Sequence, residues 1–443
     1  MTYRHTCHLI PDCNPLKTPH PLHCAVGVTD QTIFGAAMDL PAHLDAPPRR
    51  YRVLHTITTF SASSGAPENT RLTLKLLPRD RFEVFLATRA GQSMERNLPA
   101  DVTLLPVRHL DRAIRPHSDL LALVELYQLC KYWRFDVVHT HNSKDGILAR
   151  WAAHLSGVPV VVHTIHNIPF RSSGHALRKR LYLTLERVTA SVTDAFLAVS
   201  TENVRDYLEH GIGEQEQFRV VYSGLEFERY RVQLSQIDAR ARLGLPEANA
   251  VVGWFGRLNY QKDPLTFIRA AREVSEKSPG VHFVVCGDEG VGDGLAAATR
   301  GLVSDLGLAD RVHFLGFRSD FPVVLRAVDV VMHSSRYEGM GRSVCEALLC
   351  ERPVAGTAVD GMRELIVSGV RGGILVSPGQ PSALAEATLS LLRDRELGRK
   401  LASAGAAWVL AKLSATDMAR QVADIYLGVL SDGRRSASLL RNS

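Results

Sequence analysis

The feature that most restricts this chain's fold is a repeated alternation. Short runs that are apolar almost throughout end in polar or glycine-bearing loops, and helix-period segments follow several of them. In the first half the runs fall at 51–57, 83–88, 102–107, 136–139, 158–163 and 195–199, with helices expected at 71–77, 118–131 and 146–155. In the second half they fall at 250–255, 281–286, 311–315, 327–333 and 353–357, with helices at 296–306, 384–392 and 396–407. Strands without a polar face are buried on both sides, which predicts an α/β chain with parallel sheets covered by helices on each face. A length of 443 residues accommodates two such units.

Open parallel sheets bind ligands beyond the carboxyl ends of their strands, so the loops after the runs are where chemistry is expected. The first run and the small-residue loop TTFSASSGAPENT, which contains Ser64 and Gly65, open a Rossmann-like unit. Two later loops carry polar clusters: HTHNSKDG, with His141, Asn142, Lys144 and Asp145, and HTIHNIPF, with His166 and Asn167. In the second half, Gly256 ends a strand. Arg257 and Lys262 follow on the loop before a helix that Pro264 opens. Arg offers a planar fork and Lys a point charge, a pair suited to a diphosphate. Gly316, Phe317 and Arg318 follow another strand. The segment GDEGVGDG is dense in glycine but lacks the order of a dinucleotide fingerprint.

The stretch SSRYEGMGRSVCEALL concentrates these signals. A strand runs out at His333, a turn passes through Gly339, Met340 and Gly341, and a helix begins with Val344, Ala347 and Leu348 on one face. Free N–H groups at such a helix start suit an anion. Glu338 and Glu346 flank the turn, and ionised carboxylates are pure acceptors, suited to a hydroxyl-rich ligand.

The Glu338/Glu346 spacing, with Arg257 and Lys262 upstream, resembles the retaining family 4 glycosyltransferases over roughly residues 50–430. The resemblance implies the GT-B fold, two Rossmann-like domains facing each other across a cleft. It implies an acceptor-side domain at 50–217, a nucleotide-sugar-binding domain at 218–414 entered through a hinge strand at 218–227, and a helix at 415–430 crossing back to the first domain. It gives His166, Arg257, Lys262 and Glu338 catalytic roles. It assigns donor binding to Ser64, Gly65, Gly256, Gly316, Phe317, Arg318, Gly339, Met340, Gly341 and Glu346, and the acceptor side to His141, Asn142, Lys144 and Asn167. The implied reaction moves a hexose or amino-hexose from a nucleoside-diphosphate sugar to an acceptor hydroxyl with retention of configuration. The chain has no Asp-x-Asp, so a metal-bridged diphosphate is not expected, and no cofactor beyond the sugar nucleotide. HTHNSKDGILAR resembles bacterial exopolysaccharide transferases, so surface-polysaccharide or glycolipid assembly is the first expectation. A small metabolite or antibiotic acceptor is the second, and a 2-epimerase, a glycosidase or a non-catalytic sugar-nucleotide-binding protein are minor alternatives.

Composition narrows the remaining classes. A net charge of +6 without basic runs interleaved with aromatics argues against nucleic acid as a partner. No apolar stretch reaches a membrane span, the N-terminus does not read as a signal peptide, and the seven cysteines are scattered, so a cytoplasmic protein is expected. A basic helix expected at 174–190 reads either as lying on an anionic membrane or as a solvated face. Residues 1–49 mix Pro, His and Cys (Cys7, Cys13 and Cys24 among them) in no zinc spacing. They read as a disordered extension or a misplaced start, with Met38 the candidate first residue. From Ser431 on, a basic tail without structure is expected.

Overall fold

The computed structural model describes residues 49–60, 65–89, 98–111, 113–168, 170, 176–289 and 294–441. The readings of the extension up to residue 48 and of Ser64 lie outside the described residues.

Two wholly parallel sheets are built from the apolar runs. The first holds β1 (Tyr51–Ile57), β2 (Phe82–Arg89), β3 (Thr103–Val107), β4 (Val137–His141), β5 (Val160–Ile165), β6 (Ala195–Ala198) and β7 (Phe218–Val220), in the order β3-β2-β1-β4-β5-β6-β7. The second holds β8 (Val251–Phe255), β9 (His282–Cys286), β10 (Val312–Gly316), β11 (Val330–His333), β12 (Val354–Thr357) and β13 (Gly373–Val376), in the order β10-β9-β8-β11-β12-β13. In each sheet the order reverses between the first strand and the fourth, β1/β4 and β8/β11. Connections leave such a point in opposite directions, which opens a crevice at the carboxyl ends. The sequence-predicted loops follow these strands.

The helices of the first lobe are α1 (Gly65–Leu76), α2 (Pro116–Trp133), α3 (Ser143–Ser156), α4 (Ala176–Ala190) and α5 (Thr201–Glu209). Those of the second are α6 (Gln236–Leu243), α7 (Pro264–Lys277), α8 (Leu295–Asp305), α9 (Phe321–Ala327), α10 (Arg342–Leu349), α11 (Met362–Leu365), α12 (Pro381–Arg393) and α13 (Arg395–Lys412). α14 (Ala415–Arg441) then returns to the first lobe, where Met418, Val422 and Tyr426 join Val53, Leu72 and Val137 in one buried cluster. α7 starts as its sequence dictates: Pro264 takes the first position, where no N–H is needed, and the Asp263 carboxylate accepts from Thr266 N.

Three expectations are corrected. HTHNSKDG is not a loop, because β4 runs through His141 and α3 begins at Ser143, leaving Asn142 as the junction. Histidines end an apolar reading, but a buried strand carries them once their ring nitrogens are hydrogen-bonded. Phe218–Val220 pairs with β6, so the chain leaves the first sheet after Val220 rather than at Phe218. The segment after Ser431 is helical to Arg441; no proline interrupts it, and a regular backbone needs no more than that to continue from a packed helix. The helices α5, α6, α9 and α11 lacked a readable period because each is short.

Candidate active site

Ser334 sews the loops after β8 and β11 together. Its Oγ donates to the carbonyls of Lys262 (2.9 Å) and Asp263 (2.8 Å) and accepts from Trp254 Nε1 (2.9 Å). Lys262 is thereby delivered to Glu338. The ammonium and carboxylate form an ion pair whose side chains are only 15% and 6% exposed. Glu338 Oε1 also accepts from Ser335 Oγ at 2.7 Å and meets His333 Nε2 at 3.2 Å, while the Glu338 N–H donates to Asp360 Oδ2 at 2.7 Å. Burial alone would raise the Glu338 pKa, but the Lys262 charge and the His333 bond outweigh it and hold the carboxylate well below its usual range. Burial in turn lowers the His333 pKa despite its bond to Glu338.

The turn itself depends on two glycines. A Cβ on Gly339 would stand 2.0 Å from the His166 carbonyl oxygen, so a glycine here lets the β5 loop of the first lobe touch the β11 loop of the second. Gly341 caps α10 at φ +66, a left-handed conformation that L side chains resist. Glu346, on the second turn of α10, accepts from Tyr230 Oη (2.7 Å) and Arg342 Nε (3.0 Å). Arg342 continues to the Gly224 carbonyl (3.1 Å) and lies 3.8 Å from Glu68 of α1. Gly65, at the start of α1, faces the base of that Arg342 side chain; a Cβ there would be 3.9 Å from Arg342 Cβ. Met340 is buried between these segments. Gly256 ends β8 against the Lys262 stem, and Arg257 is half-buried on the same loop. Gly316 ends β10 at φ +63, Phe317 is 54% exposed, and Arg318 forks onto Asp320 at 2.8 and 2.9 Å.

The first-lobe candidates separate. His166 is half-buried, with Nε2 2.9 Å from His141 Nδ1. His141 does not reach the acceptor surface expected for it: it is fully buried, its Nε2 3.0 Å from His55 Nδ1. Lys144 is tied to Asp119 and the Ala113 carbonyl instead of standing free in a loop. Asn142 keeps an exposed edge and holds φ 65, ψ 161, a strained conformation of the kind found at ligand sites. Asn167 is exposed, its Oδ1 accepting from Ile168 N at 2.9 Å.

Several residues escaped the sequence reading. Glu364 of α11 bridges the lobes, its Oε1 accepting from Thr201 N and Oγ1 (2.6 Å each) and Glu202 N (3.3 Å) at the start of α5, and its Oε2 from Tyr222 Oη (2.9 Å). Arg342 stood inside the read motif, unremarked. His55, a lone imidazole in an apolar strand, was the signal for the buried ring cluster beneath His166. There His55, His139 and His141 bring one ligand atom each within 4.8 Å of one another. Each of their ring nitrogens is already hydrogen-bonded, to Tyr426, Thr164, His166 or one another, so a metal ion would have to break those bonds.

Comparisons with known proteins follow the same outline. The family description "Glycosyl transferases group 1" matches residues 235–408 and "Glycosyl transferase 4-like domain" matches residues 64–224. The Escherichia coli UDP-Gal:alpha-D-GlcNAc-diphosphoundecaprenol alpha-1,3-galactosyltransferase is 30% identical over 337 residues, 75% of this chain and 86% of its own length. The Streptomyces fradiae 2-deoxystreptamine N-acetyl-D-glucosaminyltransferase is 30% identical over 394 residues, 80% of this chain and 84% of its own length. Among solved structures, Anabaena HepE in complex with UDP-glucose matches 85% of this chain and 99% of its own with a TM-score of 0.74 at 23% identity, a likeness of fold.

The ring cluster makes stability sensitive to acid. Burial lowers the pKa of His55 and His166 from 6.5 to about 3, and those of His139, His141 and His163 well below 6.5. Below pH 6.5 the unfolded chain takes up protons that the native one refuses, so stability is full above that pH and falls as pH drops. Each such histidine contributes a slope of up to about 1.4 kcal/mol per pH unit. Asp145, raised by burial to about 8, works the other way, one group against five. Urea unfolding midpoints should therefore fall steeply between about pH 7 and about pH 5; a flat profile would contradict neutral burial of these rings.

Proposed function

This chain belongs to the group 1 glycosyltransferases of the GT-B fold, and on that premise we propose that it moves a hexose or amino-hexose from a nucleoside-diphosphate sugar to an acceptor hydroxyl with retention of configuration. The Lys262–Glu338 pair carries the reading. It joins a cation for the leaving diphosphate to a carboxylate for sugar hydroxyls at the crevice where the strand order reverses. Arg257, on the same loop, adds the second cation. Glu346 takes the ribose hydroxyls, trading bonds now made to Arg342 and Tyr230. The N–H groups of Gly339 to Gly341 add donors to the diphosphate, and His166 orients the sugar or the acceptor. With two cations at the phosphates the transfer needs no metal. The acceptor oxygen bonds to the anomeric carbon on the face the phosphate leaves, and its proton passes to the leaving phosphate oxygen.

Surface-polysaccharide or glycolipid assembly is the proposed setting. The E. coli relative's name specifies a diphosphoundecaprenol acceptor. α4 supplies an independent support: Leu177, Leu181, Leu185 and Val188 are 82%, 50%, 38% and 53% exposed along one side of the helix, beside Arg178, Lys179 and Arg180. Exposed leucines among cations fit peripheral attachment to an anionic membrane, on its cytoplasmic face. No helix among the described residues is long and apolar enough to cross a membrane. A small aminocyclitol acceptor is the second reading, favoured by the S. fradiae relative's extent of match.

The donor is tested by nucleotide release from UDP-, GDP-, ADP- and dTDP-sugars in EDTA. One donor should be hydrolysed, and Glu338→Ala or Lys262→Ala should slow release by about 10²–10³-fold; wild-type release by either variant refutes its role. Vesicle co-sedimentation tests the α4 reading. Binding to phosphatidylglycerol vesicles should weaken at least about tenfold when Leu177 and Leu181 are both replaced by Asn, and unchanged binding removes the membrane from the proposal.

A further inference from the structure

Beneath His166 four ring side chains form a continuous chain of hydrogen bonds. Tyr426 Oη lies 3.3 Å from His55 Nε2, His55 Nδ1 3.0 Å from His141 Nε2, and His141 Nδ1 2.9 Å from His166 Nε2. The rings are brought together by strand register and by the returning helix. His55 pairs with His139 across β1/β4, His141 follows two residues later on the same face, His166 stands just beyond β5, and Tyr426 comes from α14. We propose that Tyr426, His55 and His141 are positioning residues that fix which ring nitrogen of His166 carries the proton, leaving its Nδ1 as a bare acceptor for a substrate hydroxyl. This rests on the reading above that His166 touches substrate.

The direction follows from counting protons. A neutral imidazole has one N–H, so each ring can donate only once. Burial keeps all of these imidazoles neutral. Tyr426 has one proton and two imidazole neighbours: His139 Nδ1 at 2.5 Å and His55 Nε2 at 3.3 Å. The phenol proton is assigned to His139, the nearer of its two rings, whose Nε2–H then donates to Thr164 Oγ1 at 2.6 Å; a Thr164 hydroxyl donating instead would reverse every bond and put the His166 proton on Nδ1. The Tyr426 oxygen then accepts from His55 Nε2–H. His55 Nδ1 is left bare and accepts from His141 Nε2–H; His141 Nδ1 accepts from His166 Nε2–H. No described residue engages His166 Nδ1, so the nitrogen left for a ligand is an acceptor. One choice at Tyr426 sets all three tautomers. The order also ties the seating of α14, which follows the second lobe in sequence, to a group at the cleft.

The test uses the full chain labelled with ¹⁵N-histidine, read by long-range ¹H–¹⁵N correlation, with His166→Gln to assign the His166 resonances. Wild type should show His166 protonated on Nε2. Tyr426→Phe keeps the ring that packs the core but removes the hydroxyl. It should leave His166 in mixed tautomers and lower kcat by about tenfold with the donor KM unchanged, the scale of one lost supporting hydrogen bond. His141→Gln, which keeps a donor and an acceptor, should retain more kcat than His141→Leu. The relay is overturned if wild-type His166 is protonated on Nδ1, or if Tyr426→Phe changes neither tautomer nor kcat. His166→Ala separates the two readings. If it transfers sugar at the wild-type rate, the role of His166 itself fails; if it loses transfer while Tyr426→Phe is silent, only the relay fails.

Discussion

The space beside Gly339 is where the two lobes meet. The His166 carbonyl occupies the position a Cβ would need, 2.0 Å from it, and no residue with a side chain could stand there without moving the β5 loop. That approach sets the β11 turn, with its carboxylate, against the first-lobe loop that carries an imidazole. Around it the interface is polar: Arg342 reaches Glu68 and the Gly224 carbonyl, and Glu364 closes the start of α5. Each contact uses a charged group against backbone, a hydroxyl or an opposite charge. Such contacts reform readily, which suits two lobes that must admit and release a ligand.

The Lys262–Glu338 pair sits at the far side of the same turn. Nearly buried pairs of this kind gain little stability over an apolar substitute, because desolvation consumes most of the attraction. Ser335, His333 and the Ser334 bridges all work to hold it in place. So much scaffolding around a pair of small net stabilising value is better explained by ligand chemistry than by folding. A bound diphosphate would replace the carboxylate as the ammonium's partner and leave Glu338 to sugar hydroxyls.

Much of this was legible in the sequence. The strand runs, the Pro264 helix start and the glycine-broken turn each depend on local periodicity or backbone freedom, and the structure places them within a residue or two of expectation, except that the run read from 327 becomes β11 only at Val330, because Ala327 still belongs to α9. What escaped depends on pairing across long separations. His141 looked like a loop residue because nothing local tells that His55, 86 positions earlier, will satisfy it. Arg342 was passed over because its partners Glu68 and Gly224 lie more than a hundred positions away in the sequence. β7 was read as part of the hinge into the second domain because three residues carry no register information until β6 is beside them. The helical end of α14 shows the limit of composition: a basic, polar segment continues a helix already paid for by the packing of Met418, Val422 and Tyr426.

The most direct test of the account is a crystal structure with an intact nucleoside-diphosphate sugar bound. It should place the diphosphate between Arg257, Lys262 and the N–H groups of the 339–341 turn, with Glu338 accepting from sugar hydroxyls and Glu346 from the ribose. A ligand seated elsewhere, with the Lys262–Glu338 ion pair still intact, would contradict it.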